Sequence, residues 1–103
     1  MNFGLSGKIT SYIQDVLEKH STVEQAVIFG SRAKGNFKTG SDIDLALSGQ
    51  SLTADEGLRI QGEMEATPIP HKVDILILSK ITNPDLRDHI QRVGQIFFKK
   101  SPR

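Results

Sequence analysis

With 103 residues and a mass of 11.4 kDa, the chain has room for one domain over 1–103, and a domain of that size buries only about 60–65% of the surface its unfolded form exposes, which disfavours a deep, fully walled cleft. Apolar residues at 37% and charged residues at 24% exclude a disordered tail or a fibre, and the lack of Cys excludes a disulfide framework, a thiol nucleophile and a thiolate metal site. The 13 Lys and Arg against 12 Asp and Glu leave a formal charge of +1, which argues against direct nucleic-acid binding, and with no long apolar run and no basic, apolar leader at Met1–Gly4 the expectation is a cytoplasmic protein away from the membrane.

Ile9, Tyr12, Ile13, Val16 and Leu17 recur on one helical face and predict a helix over Ser6–Lys19, with Ser6 as N-cap. Gln25–Phe29 is a short apolar run closed by Gly30-Ser31 and reads as a buried strand. A turn and loop follow over Ser31–Gly40, whose start at Ser31–Lys34 suits one turn of helix. Asp42–Ser48 alternates, with Ile43, Leu45 and Leu47 on one face and Asp42, Asp44 and Ala46 on the other, which predicts a strand with one acidic face. Thr53-Ala54-Asp55-Glu56 fits a capping box for a helix ending before Pro68, despite Gly57 and Gly62. Val73–Leu78 predicts a third strand. Asn83 and Pro84 open a last helix that carries Leu86, Ile90 and Val93 inward and stops at Gly94, and Gln95–Lys99 suits a short edge strand. This order implies a small α/β (α+β) domain with helices packed on a sheet of about four strands.

Asp42 and Asp44 lie two apart on a strand, so both carboxylates point the same way about 6–7 Å apart. At an effective dielectric near 20 they repel by roughly 2.5 kcal/mol, which a divalent cation reverses. An exposed edge strand accounts for such a pair equally well. Asp74 adds weight, because it interrupts Val73, Ile75, Leu76 and Ile77 where an apolar residue would pack better, and it needs a partner: Lys72, His71, Arg92 or a metal. If its strand lies beside that of Asp42, three oxygen donors converge as in metal-dependent phosphoryl and nucleotidyl transfer. At Gly30-Ser31 a strand ends in a turn whose backbone N–H groups and Ser31 hydroxyl suit phosphate, with Arg32, Lys34 and Lys38 adding charge; an ordinary tight turn would look the same.

Gly30-Ser31, ten intervening residues, then Asp42-Ile43-Asp44 resembles the signature of the polymerase-β-like nucleotidyltransferases, and the chain resembles their minimal nucleotidyltransferase family along nearly its whole length. Val73-Asp74-Ile75-Leu76 resembles the segment that carries the family's third carboxylate. The resemblance implies the polymerase-β-like fold and transfer of a nucleotide from an NTP, usually ATP, to a hydroxyl. It implies that Gly30 and Ser31, with Arg32 and Lys34, hold the phosphates. Asp42, Asp44 and Asp74 then serve as catalytic residues and as ligands of two Mg²⁺ ions, or Mn²⁺ in their place, with Asp74 nearest the attacking hydroxyl. Lys34 stands where many relatives carry Arg, which keeps the charge but loses the bidentate fork. Members commonly pair with a small all-helical HEPN-type protein, in some cases as an antitoxin that adenylylates its toxin.

Two other functions fit less well. A non-catalytic module that neutralises a helical partner by binding has no use for three costly carboxylates. An enzyme for a small molecule such as an aminoglycoside needs a more enclosed pocket than this length provides. His20 reads as a helix-end cap, His89 as a surface residue and His71 as structural or exposed, while Phe29, Phe97 and Phe98 read as core.

Overall fold

Each of the three long helices begins at a side chain that accepts from its own first turn, as the sequence predicts. In a computed structural model, which describes residues 3–38 and 40–100, α1 is Gly7–Glu18, with Ser6 Oγ accepting from Ile9 N at 3.2 Å. Met1 and Asn2, which entered the reading of the first residues, lie outside the described residues. Helix α3 is Ala54–Glu65, capped by Thr53 Oγ1 on Glu56 N at 3.2 Å. Helix α4 is Pro84–Val93, with Asn83 Oδ1 accepting from Asp85 N and Leu86 N. The short α2, Ser31–Lys34, directly follows β1, Gln25–Phe29.

The remaining strands are β2 (Ile43–Ser48), β3 (Val73–Ile77) and β4 (Gln95–Lys99), in the order β3-β2-β1-β4. Strand β1 is antiparallel to β2 and β4, whereas β2 and β3 are parallel and joined through α3. The sheet is therefore mixed, and β2 is an inner strand, so its Asp44 does not belong to the polar outer face of an edge.

Alternation splits the sheet into two faces. Ala26, Ile28, Ile43, Leu45, Leu47 and Val73 join Ile13, Leu17, Ile60 and Met64 in the main core under α1 and α3. On the other face α4 lays Ile90 on Phe29 and Ala46, with Val27, Leu76, Leu86 and Val93 around them. Phe29 and Phe98 are buried and Phe97 packs against the core, as expected.

His20 departs from its reading as a cap. Its ring lies between two carboxylates of α3, Nδ1 on Glu56 and Nε2 2.8 Å from Glu63, and ties the end of α1 to α3. Burial alone would raise the Glu63 carboxyl, but the His20 ring and Lys19 hold it below the ordinary value. The partners are 36 and 43 residues away in sequence, so no local pattern announces the contact.

Candidate active site

The parallel register sets Asp44 of β2 directly opposite Asp74 of β3, and neighbouring strands lie about 4.8 Å apart. The first rung below them, Ile43 N donating to Lys72 O at 2.8 Å, starts the ladder at Ile43, so Asp42 stands exposed just before the strand rather than within it. Asp44 is half-buried at the centre of the group. Desolvation raises its carboxyl above the ordinary Asp value, and the charges of Asp74 and Asp42 raise it further, against the smaller opposing influence of His89 and Lys72. Lys72 Nζ lies 3.5 Å from Asp74 Oδ1 with both side chains open to water, an ion pair of little strength. Arg92, another expected partner, pairs instead with Asp88. Among the described residues no three His, Asp or Glu side chains gather closely enough to hold one metal ion by themselves.

Across the site from Asp74, β1 ends at Phe29 and pairs it with Asp44. The next residue, Gly30, takes φ +76° and ψ −155°, a conformation that L side chains avoid. A Cβ on Gly30 would lie 2.6 Å from Asp44 Oδ2. The glycine thus serves two ends: it permits the turn, and it lets the carboxylate approach the backbone. Ser31 opens α2 half-buried, and Lys34 is exposed.

Arg32 departs from expectation. Its side chain is 1% exposed, with Nη1 donating to Phe3 O at 2.9 Å, Nε and Nη2 both donating to Ser41 O, and the guanidinium lying over the Phe37 ring at 5.1 Å. Those bonds turn the guanidinium away from any phosphate at the surface. They also fix the chain just ahead of Asp42, so the charge works by holding the loop.

His89 is the residue that sequence reading missed. Its Nε2 accepts from Gly30 N–H at 3.2 Å, and its ring meets Phe29 edge-on with centroids 6.2 Å apart. A signal existed, since Leu86, His89, Ile90 and Val93 follow the spacing of one inward helical face. His71, half-buried at the approach to β3, shows no such contact among the described residues.

The comparisons with known proteins agree with this architecture. The profile of the family described as Polymerase beta, Nucleotidyltransferase matches residues 11–103. No curated protein matches the sequence. Among solved structures, a chain of a toxin–antitoxin complex with AMP-PNP superposes with a TM-score of 0.72 at 18% identity, covering 88% of this chain and 73% of that one. The toxin–antitoxin complex MntA–HepT gives 0.68 at 15% identity, covering 92% and 74%. A tri-AMPylated Shewanella oneidensis HEPN toxin in complex with MNT antitoxin gives 0.67 at 16%, covering 90% and 71%. At such identities the likeness is one of fold. Among the described residues no helix is long and apolar enough to cross a membrane.

Proposed function

The chain belongs to the polymerase beta nucleotidyltransferase family, and from that premise we propose that it moves AMP from ATP onto a hydroxyl of a partner protein, a small helical HEPN-type toxin that it neutralises as an antitoxin. The observation that carries the reading is the pairing of Asp44 with Asp74 across β2 and β3, beside the Gly30-Ser31 turn. Support for a protein acceptor comes from the similar folds, solved in toxin–antitoxin complexes with AMP-PNP and with a tri-AMPylated HEPN toxin.

Asp42, Asp44 and Asp74 fit hard divalent cations by donor chemistry. They are carboxylates whose mutual repulsion is offset only in part by Lys72, and Mg²⁺ is usually held by one or two carboxylates with phosphate oxygens and water completing its shell. When bound, two Mg²⁺ supply positive charge where an in-line attack on the α-phosphate builds negative charge on the entering and leaving oxygens. Gly30 lets the β and γ phosphates approach the turn with no side chain in the way, Ser31 adds a hydroxyl, and Lys34 adds charge from the surface. Asp74, on the outer strand, accepts the proton of the incoming hydroxyl. Arg32 has no part in phosphate binding in this reading, because its donors serve the loop.

The chain covers this face only in part, so the acceptor comes on the surface of the partner that completes the site. Incubation with ATP, Mg²⁺ and the helical protein of the neighbouring gene, followed by intact mass measurement, tests the proposal. AMP-sized increments on the partner are expected, and none with Asp42→Asn or Asp44→Asn. Unmodified masses within a stable complex would leave a binding module instead, and efficient transfer to an aminoglycoside without a partner would point to a small-molecule enzyme.

A further inference from the structure

The geometry points to His89 as a positioning residue, an anchor on α4 that holds the Gly30-Ser31 turn over Asp44 and so sets where nucleotide phosphates sit; this rests on the nucleotidyltransferase reading above. Gly30 is held from two sides. Its N–H is taken by His89 Nε2 at 3.2 Å, and its Cα stands so close to Asp44 that a methyl group there would overlap Oδ2. The backbone at φ +76° has no side chain to lock it, so the imidazole fixes a position that sequence alone leaves loose.

Helix α4 is itself placed on the sheet, because Ile90 packs on Phe29 and Ala46 while Leu86 and Val93 flank it. Edge-on contact with Phe29 fixes the ring plane and aims Nε2 at the turn. Accepting at Nε2 puts the ring proton on Nδ1. The helix thus reaches the Gly30-Ser31 turn through His89 Nε2.

The test compares ATP binding in the presence of Mg²⁺, by calorimetry, for the parent, His89→Leu and His89→Gln. Leucine keeps contact with Phe29 but removes the acceptor, whereas the glutamine amide oxygen restores one. His89→Met serves in place of the leucine variant if that does not fold, as thermal melting will tell. ATP affinity is expected to fall about tenfold without the acceptor and to return to within about threefold of the parent with glutamine, the scale of one lost hydrogen bond and a displaced turn. A purely structural role would lower the melting temperature of the leucine variant and leave its ATP affinity unchanged, which overturns the proposal. Equal weakening in the leucine and glutamine variants overturns it too. A parent that binds no ATP overturns the nucleotidyltransferase reading first and this inference with it, so the two failures are distinguishable.

Discussion

On the sheet face beneath α1 and α3, Ile28, Ile43, Leu45 and Leu47 are fully buried. On the opposite face, among the described residues, α4 buries Phe29, Ala46 and Ile90, leaving an open groove of about 400 Å³ lined by Val27, Leu78, Arg87, Ile90, Gln91 and Gly94. The carboxylates of Asp44 and Asp74 share that open face. The same strands build both sides, and the two-residue period sends Leu45 into the core and Asp44 to the site. The closed face therefore stabilises the fold, and the open face is free to keep charged groups that destabilise it.

That division can be broken most severely from the closed side. Leu47→Ala removes a fully buried side chain on the sheet face opposite the carboxylates, and urea denaturation should show a loss of about 3 kcal/mol, against about 1 kcal/mol for the half-buried Val27→Ala. Equal losses would mean that the open face is packed as tightly as the closed one.

Gly30→Ala sharpens the comparison at the boundary. It forces a side chain into φ +76° and against Asp44 Oδ2, so a loss of about 2 kcal/mol is expected, together with weaker ATP binding. A variant with parental melting and parental affinity would show that neither the turn nor its approach to Asp44 is constrained.

The smallest effect has the opposite sign. The Asp44 carboxyl is raised above its ordinary value, so the folded state holds that proton more tightly than the unfolded chain does. Its ionisation then lowers stability as pH rises from the ordinary Asp range through the raised value, and below that range the penalty vanishes. In EDTA, Asp44→Asn should melt higher than the parent near neutral pH by up to about 1 kcal/mol after solvent screening, and the gain should shrink on acidification. A variant that melts lower at neutral pH would give the carboxylate a structural role.

The two faces were not equally legible in the sequence. Closed-face strands and the helix caps follow local rules, so Ser6, Thr53, Asn83 and the alternation of Ile43, Leu45 and Leu47 announce themselves. The carboxylates of the open face were visible as Asp-x-Asp and as a charge within an apolar strand, yet their meeting depends on the parallel pairing of β2 with β3, which is a property of topology. The charge of Arg32 points to phosphate in the sequence, and the structure uses its Nε, Nη1 and Nη2 to tie Phe3 and Ser41 instead. His20 and His89 each act on groups more than thirty residues away, so only the packing of helices on opposite faces assigns them different work.

The most direct measurement of the open face is the affinity for ATP by calorimetry with Mg²⁺ and again in EDTA, on the parent and on Asp44→Asn. Carboxylates that repel one another and await a cation predict that the parent binds ATP at least about tenfold more tightly with Mg²⁺ and that Asp44→Asn loses most of that difference. Equal affinity of the parent in both conditions would contradict the account, because Asp44 and Asp74 would then face each other for a reason unconnected with a metal-bound nucleotide.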